Sequence, residues 1–114
     1  MNGNNITVRL NPGQIELLLT KKLCGKDGTV LSDRREIETS GGKSILLVFS
    51  RFYKRFASLF GLTVVINPGD TCCEVSWNAA CGRKDAPIVG DMGAAKAFCG
   101  DVRKALEPYE IKQS

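Results

Sequence analysis

The spacing of apolar and polar positions changes several times along the chain. Ile6, Val8 and Leu10 alternate with Thr7 and Arg9 and predict a short half-buried strand. It ends at Asn11-Pro12-Gly13, where proline cannot donate to a ladder and glycine permits a sharp turn. From Gln14 to Cys24 the spacing lengthens to three or four, with Ile15, Leu18, Leu19 and Leu23 on one face. That stretch predicts a helix, with Lys21 and Lys22 near the negative end of its dipole and Gly25 placed to cap it. Thr29 to Glu38 alternates loosely around Val30, Ser32 and Ile37 and reads as an exposed or edge strand. The charged run Asp33-Arg34-Arg35-Glu36 interrupts it, and Ser40-Gly41-Gly42 ends it.

Lys43 to Phe60 carries two periods at once. At ~100° per residue, Lys43, Ser44, Ser50, Arg51, Lys54, Arg55 and Ser58 share an arc of ~140°, with Leu47 the only large apolar intruder. A basic amphipathic helix of that kind suits a membrane surface or a partner groove. Against it, Ile45, Val48, Phe49, Phe52, Tyr53 and Phe56 favour pleated surfaces. Only Gly61 separates Phe60 from the apolar run Leu62 to Ile66, whereas connections usually span about 2–6 residues. Both readings stay open at this level.

Leu62 to Ile66 predicts a strand, Asn67-Pro68-Gly69-Asp70 a turn, and Thr71 to Ala80 the returning strand. Cys81 to Pro87 reads as a polar loop. Asp91 to Leu106 predicts the closing helix, with Asp91 as N-cap, Ala95, Phe98, Cys99, Val102 and Leu106 towards the core, and Pro108 preventing extension. No linker or repeat divides the chain, so residues 1–114 read as one domain, with loose ends at 1–4 and 112–114.

Composition narrows the classes. With 43% apolar and 25% charged residues the chain is an ordinary globular sequence rather than a disordered or fibrous one. Sixteen Lys and Arg against twelve Asp and Glu leave +4, which allows a nucleic-acid partner without indicating one. No apolar run has the length of a membrane span, and Met1 to Asn5 lacks the pattern of a signal peptide, so a cytoplasmic protein is expected. Five cysteines, an odd number, fit reduced thiols better than a disulfide framework. Histidine is absent from the chain, which removes Ser/His/Asp and Cys/His nucleophile pairs and mixed cysteine-histidine zinc sites.

The helix Ile15 to Leu23, the run Val48-Phe49-Ser50-Arg51-Phe52, Leu62-Thr63-Val64 leading to Gly69-Asp70, Val75-Ser76 followed by Cys81-Gly82, and the last helix form one rhythm. From Pro12 to Leu106 it resembles a small, uncharacterised bacterial family of single-domain proteins of unknown function. The resemblance implies a strand-helix-four-strand-helix domain in which Ser44 to Tyr53 is a strand turning near Lys54 to Ser58 into the next. Lys54-Arg55-Phe56-Ala57-Ser58 stands where a glycine-rich tip would be expected, and Cys81 where a small or polar residue would precede Gly82. No activity accompanies the resemblance.

Each chemical candidate has a plainer account beside it. Four thiolates suffice for a metal, yet no C-x-x-C occurs and adjacent Cys72 and Cys73 on a strand point to opposite faces, so no metal or cofactor is expected. Cys81, beside Gly82-Arg83-Lys84, is the candidate reactive thiol, because cations lower a thiol's pKa. Arg83 and Lys84, and Arg51 with Lys54 and Arg55, are two basic clusters that suit acidic partners; solvated surface charge is the plainer account. Phe52 and Tyr53 among these arginines suit base stacking on a sheet, without the paired aromatics of an RNA-recognition motif. Trp77 reads as core, or as an interface anchor. Asp33, Glu36 and Glu38 face alternately and do not form a catalytic carboxylate pair.

The expected architecture is therefore α+β, β-α-β-β-β-β-α: an antiparallel sheet of about five strands with two helices packed on one face. If Phe49, Tyr53, Val65 and Trp77 or their alternates occupy the other face, self-association as a homodimer follows. The function expected is a non-enzymatic binding or interaction module with Arg51, Tyr53, Arg55, Trp77, Arg83 and Lys84 as ligand or interface candidates. The alternatives are a thiol-dependent redox or metal protein, using Cys81 with Cys72 or Cys73 and Cys99, and a weak single-stranded nucleic-acid binder.

Overall fold

The structure, a computed structural model, describes residues 4–24, 28–40, 42–53, 58–81 and 92–111. The elements run β1 (Asn5–Val8), α1 (Pro12–Leu23), β2 (Val30–Thr39), β3 (Gly42–Tyr53), β4 (Ser58–Pro68), β5 (Cys73–Cys81), α2 (Met92–Leu106) and a 3-10 turn over Glu107–Tyr109. The five strands form one antiparallel sheet in the order β1-β5-β4-β3-β2. This is the α+β architecture expected from the sequence.

Residues 43–53 and 58–60 resolve in favour of strands. β3 pairs with β4 from Ile45 opposite Ile66 out to Tyr53 opposite Ser58. Leu47, out of place on the helical wheel, is fully buried, because period two puts Ile45, Leu47, Phe49 and Arg51 on one face. Residues 54–57, where the glycine-rich tip was in question, lie outside the described residues.

The turn read at Asn11-Pro12-Gly13 is a helix start. The Asn11 side chain accepts from the Gln14 N–H at 2.7 Å, and the Gln14 side chain accepts from the Asn11 N–H at 3.0 Å. Pro12 occupies the first helical turn, where its missing N–H costs nothing. Asp91 and Gly25, expected as caps, lie outside the described residues.

Both helices cover the same face of the sheet. Ile15, Leu19 and Leu23 of α1, and Phe98, Val102 and Leu106 of α2, close over Ile6, Val8, Leu47, Phe49, Leu62, Val64, Val75 and Trp77. β1, although an edge, has its outer backbone covered. The Arg9 N–H donates to Tyr109 O at 3.1 Å, the Ile111 N–H to Thr7 O at 2.8 Å, and Val8 bridges Glu110. β2 is the other edge and is exposed along nearly its whole length, with a bulge between Leu31 and Asp33. No helix among the described residues is long and apolar enough to cross a membrane.

Candidate interaction surface

The register separates the candidate residues by face. Arg51 continues the inner row of β3 and is 4% exposed. Its Nε donates to Thr29 Oγ1 at 2.6 Å, Nη2 donates to Asp101 Oδ2 at 3.0 Å, and the guanidinium lies 4.3 Å from the Phe98 ring centre. Arg51 therefore joins β3 to α2 and to the residue before β2, and does not stand on a ligand-facing surface: it shares the buried row of Ile45, Leu47 and Phe49. Asp101 and Thr29, absent from the sequence candidates, are its partners. Only a tertiary contact brings them together, since 50 residues separate Arg51 from Asp101.

Trp77 is 4% exposed on the inner row of β5, so the core account applies. Among the described residues its indole N–H has no hydrogen-bond partner, and the Arg103 guanidinium lies 5.5 Å from the ring centre. Phe49 too lies inside, fully buried, so neither it nor Trp77 reaches the second face. Tyr53 ends β3 with its side chain beyond the description, and Arg55, Arg83 and Lys84 lie outside the described residues.

The face away from the helices carries the alternates. Of the five large apolar side chains most exposed among the described residues, four lie there: Val30 at 56%, Phe52 at 52%, Leu59 at 50% and Ile37 at 46%. The fifth, Leu17, lies on α1. Phe52 stands opposite Leu59, Val30 opposite Ser50, and Ile37 opposite Ser44. Leu46, Val48 and Val65, half-buried, continue the patch. Gly61, opposite Ser50, leaves a gap beside the Phe52-Leu59 ridge, since a Cβ placed there would meet nothing within 4 Å. The charges of this face among the described residues are Asp33, Arg35 and Glu74, and the first two pair at 3.1 Å. The inner side of β2, beyond the helices, is polar instead. Arg34 bridges Glu16 of α1 at 2.5 Å and Glu36 at 2.9 Å, and Lys43 reaches Glu36 at 3.4 Å. Hydrogen bonds from Arg34 and Lys43 hold the Glu36 carboxyl below its ordinary range.

The thiols are dispersed. Cys73 and Cys81 begin and end β5, which at ~3.3 Å per residue holds their backbones about 26 Å apart, too far for Cys81 to act with Cys73 or its neighbour Cys72. Burial raises the thiol pKa of Cys24, Cys73 and Cys99, the direction opposite to that of an activated thiol. No three metal-ligating side chains converge among the described residues.

Two clefts open elsewhere. One of about 230 Å³ lies between the helices, against Leu18, Lys22, Asp101, Lys104 and Tyr109. Another of about 260 Å³ lies by Arg9, Asn11, Asp70 and Cys72. Both fall below the ~300 Å³ at which small-molecule sites begin. The apolar side of the sheet is thus the feature of the described surface that gathers most of its exposed large apolar side chains. Comparison with protein-family models, with curated proteins and with solved structures finds no match.

Proposed function

We propose that this chain is a bacterial, cytoplasmic, non-enzymatic interaction module that binds a protein partner through the open face of its sheet. One observation carries the reading: Val30, Ile37, Phe52 and Leu59 share that face and remain about half exposed. An open sheet normally alternates apolar-in with polar-out, so large apolar groups on the outer rows signal contact with another surface. Arg51, the cation that a base-stacking surface would need on β3, points under the helices, and Arg35 is engaged by Asp33. Cys24, Cys72, Cys73 and Cys99 are free thiols, in keeping with a reducing compartment.

The test compares the wild-type chain with the double variant Phe52→Lys, Leu59→Lys as bait in a bacterial extract. Both positions are half exposed, so the variant keeps its fold. A chain held by the wild type and lost from the variant is expected, whether another protein of the extract or an added untagged copy of this one. Equal retention by both overturns the reading, as does turnover in broad hydrolase or transferase screens that a single substitution abolishes.

A further inference from the structure

We infer that the occupant of the open sheet face is a second copy of this chain, stacked face to face. The inference rests on the reading of that face as an interaction surface, and four features of the molecule lead from it to a like partner.

Size comes first. Five strands at ~4.8 Å spacing, about eight residues long at ~3.3 Å each, present on the order of 600 Å². Two such faces bury on the order of 1,200 Å² in total, which reaches the lower bound of stable protein–protein interfaces at about 1,200–2,000 Å². Charge is second. Asp33 and Arg35 neutralise each other, leaving Glu74 as the other charge of the described face. The described face thus carries little net charge, and two copies meet there on nearly neutral ground. A basic or acidic partner finds little to complement there.

The relief of the surface is third. The Phe52-Leu59 ridge stands one row from the gap over Gly61 and Ser50. A ridge and a gap side by side on one surface are what a two-fold axis needs, because each copy then seats its ridge in the gap of the other. A second copy has the same twist, so the two sheets can stack with their strands within about 30° of each other. The edges are fourth. Residues Tyr109–Ile111 close β1, and the bulge and the run Asp33-Arg34-Arg35-Glu36 blunt β2, so strand addition at an edge does not compete with the face.

The experiment is sedimentation equilibrium of the full chain into the high micromolar range. It is run beside the Phe52→Lys, Leu59→Lys variant, with far-ultraviolet circular dichroism as the fold check. The expected result is a wild type of twice the 12.4 kDa chain mass and a folded variant of 12.4 kDa. A monomeric wild type overturns the inference, and so does a variant that stays dimeric. A photoreactive p-benzoyl-phenylalanine in place of Phe52 then separates the two levels of the argument. A crosslinked product of two chains supports the second copy. A product with another protein in extract overturns the second copy and leaves the interaction reading standing. No product with any protein overturns both.

Discussion

Arg51 occupies the inner position of β3 at which an apolar row gives way to charge, and its surroundings satisfy it. Thr29, Asp101 and the Phe98 ring surround a guanidinium that is 4% exposed. Arg51→Ala removes a buried side chain together with its bonds to Thr29 and Asp101 and its contact with the Phe98 ring, so it should lower the unfolding free energy by about 2–5 kcal/mol. Arg51→Met, which keeps the stem and discards the charge, should recover part of that loss. Asp101→Asn keeps an amide oxygen that accepts from the buried guanidinium and leaves the packing of Arg51 intact, so it should cost less than Arg51→Ala. Urea unfolding of the three variants checks the order. An Arg51→Ala loss under about 1 kcal/mol would mean that the pair behaves like a solvated surface bridge.

At the scale of elements, the β2–β3 connection depends on one backbone conformation. Gly42 has φ +127°, a region that side chains disfavour, and a Cβ there would also stand 3.4 Å from the Pro68 ring. Gly42→Ala should therefore cost about 1–3 kcal/mol. The loss should appear as faster amide hydrogen exchange along β2 and β3, with α1 less affected. An alanine tolerated without loss would show that the turn relaxes freely. The strand-or-helix question in residues 43–60 belongs to this scale too. The wheel with its basic arc was one projection of an alternating pattern, and Leu47, the residue that did not fit the wheel, pointed to the period that prevails. The tight passage through Gly61 pointed the same way, because β4 runs straight through it.

At the scale of the whole molecule, the C-terminal segment completes the sheet. The pairing of Tyr109–Ile111 with β1, together with Tyr109 packed on the core, ties the last residues to the first strand. Deleting residues 109–114 should lower the thermal midpoint, speed exchange of the β1 amides and make the protein prone to aggregate through a newly opened edge. Unchanged β1 protection would refute that role. The helices cover one side of the sheet, so stability and association draw on opposite faces. Substitutions at Phe52 or Leu59 should change assembly while leaving the monomer's core intact.

The sequence by itself determined the elements outside residues 43–60, which it left open between strand and helix, and the lack of a histidine-based catalytic group, because periodicity, turn residues and composition are local properties. It also made an apolar second face foreseeable, through the number of large side chains on alternating strands. Which side chains occupy that face was decided by the tertiary structure. Strand register carries Phe49, Trp77 and Arg51 inward and Phe52, Leu59, Val30 and Ile37 outward, and shifting a strand by one residue would exchange the two sets. Asp101 and Thr29 became partners of Arg51 for the same reason: a long-range contact follows from how elements pack, and nothing in the spacing of residues 29, 51 and 101 along the chain announces it.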